Sequence, residues 1–270
     1  MNSMFTGWCA MPFVEKDDVR LFYRIDGDGK PIVLIHGAWS NHSWWRPIID
    51  LLSKRYMTVA VDVRGHGNST KLEKPFSVEG FAEDLHFMLE ELGFVEVVLM
   101  GHSMGGMISM QYALDHPERV RGLVLVATTP RPGRHLKYHL FYYLAKLKLI
   151  SYEKILVKTL RKMFHPSTPS ETVEWAIKEL LKTSKEDFIK ILKTVEKFDI
   201  THRLDEIKQP ALIIVGERDS LTPPEKSQLL NSKIPNSRLV FIEECDHTLI
   251  LDKPERIVDE TTKFLEEINY

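Results

Sequence analysis

The sequence has few cysteines, almost no net charge and no long apolar run. Only two of its 270 residues are cysteine, Cys9 and Cys245; this excludes a disulfide scaffold and is too few for a structural zinc site. Lys and Arg total 36 against 38 Asp and Glu, a formal net charge of −2, so the whole molecule is not a polyelectrolyte binder. No uninterrupted apolar run approaches the roughly 20 residues that span a bilayer, which predicts no transmembrane segment.

Other local signals are also missing. Residues 1–13 hold no basic residue and no apolar stretch of signal-peptide length. The sequence has no His and Cys cluster with metal-ligand spacing, no phosphate-binding glycine loop at its first strand and no nucleic-acid recognition motif. We therefore expect a cytoplasmic protein that needs no metal ion or organic cofactor and binds no nucleic acid. The sequence leaves its oligomeric state open.

What the sequence does contain is a regular alternation of short apolar segments with longer amphipathic ones. With 43% hydrophobic residues the chain can bury a sizeable core. The alternation predicts an α/β fold with a mostly parallel central sheet flanked by helices. The predicted strands are Val19–Ile25, Pro31–Ile35, Thr58–Asp62, Val95–Met100, Val120–Ala127, Ala211–Val215 and Leu239–Ile242. The predicted helices between them are Trp44–Arg55, Val78–Leu92, Met104–Asp115, Pro224–Lys233 and Pro254–Ile268.

One stretch interrupts the alternation. From about Pro130 to Ile200 only helical periodicity is found, and strand-rich sequence resumes at Ala211. We interpret residues 130–200 as a helical cap inserted between two strands. Residues 1–129 and 201–270 then form the core domain.

The most informative motif is Gly101-His102-Ser103-Met104-Gly105, which follows an apolar strand and precedes a helical pattern. This context is the one a nucleophile elbow requires, because a strained strand-to-helix turn projects the serine hydroxyl above the sheet. The glycines keep side chains away from the point where strand and helix converge. The helix directs its first amides at the same point, so the N–H of Met104 can stabilise an oxyanion.

With this motif the chain resembles the α/β-hydrolase family over nearly its whole length, as a serine carboxylesterase-like member with a helical cap. Two further landmarks match, His36-Gly37-Ala38-Trp39 and the run from Asp62 to Ser69. The resemblance implies that the N–H of Ala38 is the second oxyanion donor. It gives the run from Asp62 to Ser69 a structural role. We place Trp39, His102, Phe141 and Leu221 along the substrate pocket, with a packing role as the alternative for Trp39.

A serine nucleophile needs a base that is oriented by a carboxylate, and in this fold the chain order is Ser, acid, His. The strand at Ala211–Val215 leads into a loop that is similar to the family's acid loop, and Asp219 in that loop is our acid. Glu217 and Asp205 are its rivals. The preceding strand ends without a carboxylate, which strengthens the choice of Asp219.

The base is assigned to His247, which follows the last predicted strand; His202 also has the right order but follows the predicted cap. Family members usually carry glycine before this histidine, whereas this chain has Asp246. The mechanism that follows is attack by Ser103 on a carbonyl, an acyl-enzyme, and its hydrolysis by water that His247 activates.

Charge is distributed unevenly between the two predicted parts. Residues 130–200 hold 15 Lys and Arg against 8 Asp and Glu, and the stretch from Arg131 to Lys162 holds nine basic residues against one acid. One interpretation is a solvated helix face. The other is an electropositive entrance for an anionic ligand, such as a CoA thioester, or for an anionic membrane surface.

The preferred function is a carboxylic-ester hydrolase, a carboxylesterase acting on a small-molecule ester with a small to medium acyl chain. A thioesterase that acts on or binds an anionic acyl thioester, and a lactonase, share the same residues and stay open. Serine at position 103 argues against the dehalogenase and epoxide hydrolase relatives, which use aspartate there. Perhydrolases and hydroxynitrile lyases of the same fold, and a ligand-binding receptor on a hydrolase scaffold, are the alternatives from other classes.

Overall fold

A computed structural model describes residues 12–73, 76–133, 136–147 and 151–270. Eight strands form one sheet. They are β1 (Phe13–Lys16), β2 (Val19–Asp26), β3 (Pro31–Ile35), β4 (Met57–Val61), β5 (Val97–His102), β6 (Val120–Val126), β7 (Ala211–Gly216) and β8 (Ser237–Ile242).

The sheet order is β1-β2-β4-β3-β5-β6-β7-β8. All pairs from β4 to β8 across the sheet are parallel, and only the pairs of β2 with β1 and β4 are antiparallel. The predicted α/β class with a mostly parallel sheet is therefore confirmed. Every connection between parallel strands crosses over, which places the carboxyl ends of β3 to β8 along one edge.

The sequence analysis missed β1 and misplaced some boundaries. β1 has only four residues and pairs with β2 through a tight hairpin, in which Asp17 has φ 54°, so its apolar alternation is too short to stand out. β5 begins at Val97 because Val95, which is 80% exposed, precedes the sheet. The predicted helix from Trp44 is a 3-10 turn, His42–Trp45, followed by an α-helix that begins at Arg46. Pro47 lacks an N–H to donate and therefore sits in the first turn of that new helix.

The helices in chain order are α1 (Arg46–Leu52), α2 (Val78–Glu91), α3 (Met104–Asp115), α4 (Leu136–Lys146), α5 (Tyr152–Leu160), α6 (Ser170–Leu180), α7 (Lys185–Val195), α8 (Pro224–Lys233), α9 (Leu249–Asp252) and α10 (Pro254–Glu267). Helices α4 to α7 lie between β6 and β7, where the sequence predicted a helical insertion. We call residues 136–195 the insertion helices. Within the described ranges no helix is long and apolar enough to cross a membrane.

The central strands are buried on both faces of the sheet, as β3 illustrates. Val33 and Ile35 belong to an apolar cluster with residues of α2 and α3, whereas Ile32 and Leu34 belong to a second cluster with residues of α1, α10 and the insertion helices. Successive side chains of a strand point to opposite faces, so a continuous apolar run is what a doubly covered strand needs.

The insertion helices are joined to the core by polar contacts as well as by apolar packing. Ser184 caps α7, with its hydroxyl accepting from the N–H of Asp187 at 3.0 Å. Thr183, in the turn before that helix, donates its hydroxyl to the carbonyl of Trp39 at 3.1 Å. Thr248 donates to the carbonyl of Met163, which follows α5, also at 3.1 Å. The insertion is therefore anchored to the loops that follow β3 and β8.

Candidate active site

Ser103 stands at the junction of β5 and α3 with φ 52° and ψ −115°. A positive φ is uncommon for a residue with a side chain and costs on the order of 1–3 kcal/mol. The surrounding structure holds it there: its N–H donates to the carbonyl of Val126 at 2.9 Å, and its own carbonyl accepts from the hydroxyl of Thr128 at 2.6 Å. The strained turn leaves the Ser103 side chain on the wall of a cavity above the sheet edge.

Two glycines make this turn possible. A Cβ on Gly105 would overlap the carbonyl of Ile35, at the end of β3. A Cβ on Gly101 would overlap the backbone of Gly105 itself. The first turn of α3 therefore packs directly against the backbone of two central strands, which only glycine allows.

The loop after β3 supplies the opposite side of the cavity. Gly37, Ala38 and Trp39 line it together with Ser103 and Met104. Met104 is the first residue of α3, so its N–H is among the helix amides with no intrahelical carbonyl partner. The structure thus brings both predicted oxyanion residues to the serine.

Trp39 is held in place on several sides. It has φ 66°, its indole N–H donates to the carbonyl of Phe188 at 3.2 Å, and its ring stacks on that of Phe188 with centroids 4.2 Å apart. Phe188 belongs to α7, so an insertion helix positions this part of the loop.

His247 and Asp219 form a buried pair behind the cavity. Nδ1 of His247 lies 2.9 Å from Oδ2 of Asp219, and the two side chains are 2% and 0% exposed. An ionised carboxylate can only accept, so Nδ1 carries the proton and Nε2 keeps its lone pair. His247 also lines the cavity with Ser103. A base with this tautomer is the arrangement that activates a serine hydroxyl.

The Asp219 carboxylate is surrounded by donors. Its Oδ1 accepts from the N–H groups of Leu221 at 2.9 Å and Thr222 at 2.8 Å, and its Oδ2 accepts from the Thr222 hydroxyl at 2.7 Å. Burial by itself would raise the pKa of this carboxyl group, but the charge and hydrogen bond of His247 and the bonds from Thr222 outweigh it and lower the pKa below its usual value. Asp219 therefore stays ionised at neutral pH.

Asp246, which replaces the family's usual glycine, connects the two loops that carry this pair. Its Oδ1 accepts from the N–H of His247 at 2.8 Å, from the N–H of Ser220 at 3.1 Å and from the Ser220 hydroxyl at 3.3 Å. The side chain thus links the residue after Asp219 to His247. The sequence showed that Asp246 differs from the family's usual glycine, but it did not predict the hydrogen bonds to Ser220, because only folding brings these two residues together.

His102 supports the same loop from below. Its Nε2 donates to the backbone carbonyl of His247 at 2.9 Å. Burial, together with the neighbouring His247, lowers the pKa of His102 to about 3, so its ring is neutral at physiological pH. His102 lines the cavity wall, as predicted for a pocket residue, and also ties the serine turn to the histidine loop.

The cavity itself is small and its walls are mostly apolar, with a volume of about 60 Å³. Core strands and loops contribute its polar residues, and the insertion side contributes apolar ones. The latter are Pro132, Met163, Leu180, Leu192 and Val195. The sequence did not assign Pro132, Leu180, Leu192 or Val195 to the cavity wall, because the helical pattern of this stretch shows which residues face inward and not what they face.

The other predicted residues fall into three groups. Leu221 lines the cavity beside Thr222. The rivals Glu217, Asp205 and His202 are exposed, and the hydrogen bond to His247 comes from Asp219 instead. The side chain of Phe141 and the whole of Cys9 lie outside the described residues.

The run from Asp62 to Ser69 makes structural contacts beneath the loop after β3. Asp62 accepts from the N–H and the ring of His42, at 2.7 and 2.9 Å, and from the N–H of Asn68 at 2.8 Å. Nε2 of His36 accepts from the N–H of Val63 at 3.0 Å, and burial lowers the pKa of this histidine. In the part of the chain that the structure describes, no group of three or more His, Cys, Asp or Glu side chains is placed to hold a metal ion.

Comparison with known proteins identifies the family. The model of the family described as alpha/beta hydrolase fold matches residues 30–161 and 165–254. These ranges include Ala38, Ser103, Met104, Asp219 and His247.

Individual relatives are more distant. A putative carbamate hydrolase, RutD, of Azorhizobium caulinodans is 27% identical over 271 residues, covering 96% of this chain and all of that protein. A pimeloyl-[acyl-carrier protein] methyl ester esterase of Aliivibrio salmonicida is 26% identical over 257 residues, covering 91% and 96%. The solved structure of Est816, described as an N-acyl homoserine lactone degrading enzyme, is 26% identical with a TM-score of 0.85, covering 94% of this chain and 100% of that chain.

Proposed function

The chain belongs to the alpha/beta hydrolase fold family, and from this premise we propose that it is a serine hydrolase that cleaves carboxylic esters through an acyl-enzyme. The observation that carries the proposal is the buried pair of His247 and Asp219, 2.9 Å apart, on the same cavity as a strained Ser103. The three relatives described above are named for cleavage of a carbamate, a methyl ester and a lactone. All three reactions begin with attack on a carbonyl carbon.

In the proposed mechanism, Oγ of Ser103 attacks the ester carbonyl while Nε2 of His247 takes its proton. Asp219 holds the imidazole in the required tautomer and stabilises the imidazolium ion. The N–H groups of Ala38 and Met104 stabilise the oxyanion. His247 then protonates the leaving alcohol, and a water molecule that it deprotonates releases the acid from Ser103.

The cavity supports a short acyl group. Its volume of about 60 Å³ is far below the ≈ 300–1,000 Å³ of sites that enclose a drug-sized ligand, and its insertion-side wall is apolar. We infer that residues 130–200 act as a cap that limits acyl length. The hydrogen bonds that join this segment to Trp39 and Thr248 hold the apolar wall in place opposite Ser103.

The test is hydrolysis of p-nitrophenyl esters from acetate to octanoate by the wild type and Ser103→Ala. The substitution should lower kcat by roughly 10³–10⁶-fold, because the nucleophile and its base act as one unit. Ser227→Ala is the matched control, since this serine is buried in α8 and its hydroxyl has no hydrogen-bond partner among the described residues. Activity should be greatest on the shortest esters.

A second measurement separates serine chemistry from other routes. Phenylmethylsulfonyl fluoride should form one covalent adduct, which peptide mass spectrometry places on Ser103. Turnover that survives in Ser103→Ala, or an adduct on another residue, would contradict the proposal. Tight retention of an ester without hydrolysis by the wild type would favour the receptor alternative.

Hydrolysis of a γ-lactone and of an acetyl thioester, each compared with hydrolysis of phenyl acetate, distinguishes the lactonase and thioesterase alternatives from the carboxylesterase. The substrate class with the highest kcat/KM identifies the preferred acyl bond, since all three reactions use the same residues.

A further inference from the structure

A second cavity adjoins the one that holds Ser103. Its volume is about 350 Å³, and it lies between the loops after β3 and β4 and the end of α6. Trp39 and Ser40 line both cavities, so the two share the wall formed by the loop after β3. The second cavity is large enough to hold a substantial part of a small substrate.

The two cavities differ in character. The cavity at Ser103 is mostly apolar, whereas the second is bordered by polar side chains that include Asn41, Asn68 and Thr183. Such a difference favours a substrate with a small apolar part and a larger polar part. An ester has two such parts, its acyl group and its alcohol.

Positive charge predominates in the second cavity. Arg46, Lys71 and Lys182 line it together with one carboxylate, that of Glu179. Glu179 is already neutralised, because Nζ of Lys182 lies 2.6 Å from its Oε1 and Nδ2 of Asn41 donates to its Oε2 at 3.0 Å. The pair of Glu179 and Lys182 therefore contributes no net charge.

The other two cations of the second cavity are Arg46 and Lys71. Lys71 donates to the backbone carbonyl of Gly67 at 3.2 Å, and the Arg46 side chain is exposed at the start of α1. Across the described ranges, neither side chain lies within ion-pair distance of a carboxylate. His42, which also borders the cavity, has its Nδ1 on Asp62. An anion that entered this cavity would meet two cations that have no carboxylate partner among the described residues.

We propose that the second cavity, which we call the anion cavity, binds an anionic group on the alcohol or thiol side of the substrate, with Arg46 and Lys71 as its charge partners. The proposal rests on the proposed ester hydrolysis at Ser103. The acyl group occupies the small apolar cavity, so the leaving group extends past Trp39 into the space beyond it. A phosphate or a carboxylate on the leaving group would fit this chemistry.

This location differs from the one that the sequence suggested for an anionic ligand. The sequence pointed to the basic stretch from Arg131 to Lys162, in the insertion. Arg46 and Lys71 instead belong to the core, where Arg46 begins α1 and Lys71 lies in the segment between β4 and α2. Charge counted along the chain cannot find such a site, because its cations come from separate segments.

The experiment compares two acetyl esters that share an aromatic ring. Phenyl acetate is neutral, and 4-acetoxyphenyl phosphate carries a phosphate on the leaving group. Hydrolysis of the second gives acetate and 4-hydroxyphenyl phosphate. The ratio of their kcat/KM values is measured in the wild type and in Arg46→Gln/Lys71→Gln, so that the intrinsic reactivities of the two esters cancel. Acetyl-coenzyme A and S-acetyl-N-acetylcysteamine form a second pair of a charged and a neutral substrate, in which the phosphates lie farther from the acyl group.

In at least one of the two substrate pairs, Arg46→Gln/Lys71→Gln should lower the ratio of kcat/KM for the charged substrate to kcat/KM for the neutral one roughly tenfold. For the wild type, 0.5 M salt should also lower this ratio, because salt screens the attraction between the cations and the anion. Lys54→Gln/Lys233→Gln is the matched control: it removes two exposed lysines that border neither cavity and should leave the ratio unchanged. Glu179→Gln should raise the ratio, because it releases Lys182.

Ratios that stay within twofold of wild type in both pairs would overturn the proposal and favour a neutral polar leaving group. Calorimetric titration with 4-hydroxyphenyl phosphate gives a readout without turnover. The double variant should bind this product more weakly than the wild type does, and equal affinities would count against the anion cavity. If none of the four esters is hydrolysed, the ester-hydrolase proposal fails, while the titration still decides whether Arg46 and Lys71 bind the anion.

Discussion

Strand ends of the core and helices of the insertion meet at the same small cavity with different kinds of side chain. The core brings Ser103, Asp219 and His247 on loops that follow β5, β7 and β8. The insertion helices bring Leu180 and Leu192, which are apolar. The side chains of Asp219 and His247 are held by hydrogen bonds, whereas the apolar wall is held mainly by packing. In the proposed function, the core therefore supplies the reacting groups, and the insertion limits which acyl group fits.

The two regions differ at their surfaces as well. Of the seven large hydrophobic side chains exposed in the described residues, Leu136, Leu140, Tyr143 and Leu147 all lie on α4 or directly after it. The central strands β3, β5 and β7 are almost entirely buried. Substitutions should therefore cost more stability in the core, and those in the insertion should change selectivity more than stability.

The largest effect is expected from Gly105→Ala in the core. The new methyl group would overlap the carbonyl of Ile35, so α3 and β3 would have to separate, at a cost of about 4 kcal/mol or more in the free energy of unfolding. Gly133→Ala, in the segment that leads into the insertion, is the comparison: nothing lies within 4 Å of its added Cβ, and only its φ of 80° is unfavourable, at about 1 kcal/mol. Urea unfolding of both variants measures the difference. A Gly105→Ala protein as stable as wild type would contradict the packing described here.

Leu180→Ala and Leu99→Ala compare a wall residue with a core residue. Both side chains are buried, and truncation of each should cost about 2–5 kcal/mol, with Leu99 at the upper end. Only Leu180 faces the cavity, so only its truncation should move the preferred acyl chain to longer esters. The p-nitrophenyl ester series measures this. An equal change in the preferred acyl chain length of the two variants would contradict the proposal that the insertion, and not the core, limits acyl length.

Acid should destabilise the core through two buried histidines. Burial lowers the pKa of His66 and of His102 from 6.5 to about 3, so between these values the unfolded chain binds more protons than the folded one. Stability therefore rises with pH across this window and is lost as the pH falls below 6.5, by up to about 1.4 kcal/mol per pH unit for each histidine. Urea midpoints measured from pH 4.5 to 7.5 give the slope. His66→Gln should flatten it, and His202→Gln, at an exposed position, should not.

The smallest effect is expected at Asp246. In Asp246→Ala the loops that carry Asp219 and His247 lose their side-chain link, and kcat should fall roughly tenfold with little change in KM, because the base is less well positioned. Asp246→Asn keeps an oxygen acceptor for the N–H groups of Ser220 and His247 and should restore most of the rate. If alanine and asparagine lower kcat equally, Asp246 acts through its charge rather than as a link.

Much of this arrangement could be predicted from local patterns. Short apolar segments predicted seven of the strands, and several of these segments are continuous because strands covered on both faces have no polar alternation. Gly101, Ser103 and Gly105 predicted the turn, since their spacing answers a steric requirement that is local to the chain. The order of acid and base after Ser103 selected Asp219 and His247, which the structure places 2.9 Å apart. β1 was missed because its four residues are ordered by pairing with β2.

The sequence by itself determined the alternation of buried strands and helices, the strained serine turn and the chain order of the candidate residues. Only the tertiary structure decided which residues from distant parts of the chain come into contact. Asp246 reaches Ser220, Trp39 packs on Phe188, and Arg46 and Lys71 border one cavity. The physical reason is that backbone conformation depends on neighbours in the chain, whereas cavities and hydrogen bonds between loops depend on how separate segments pack together.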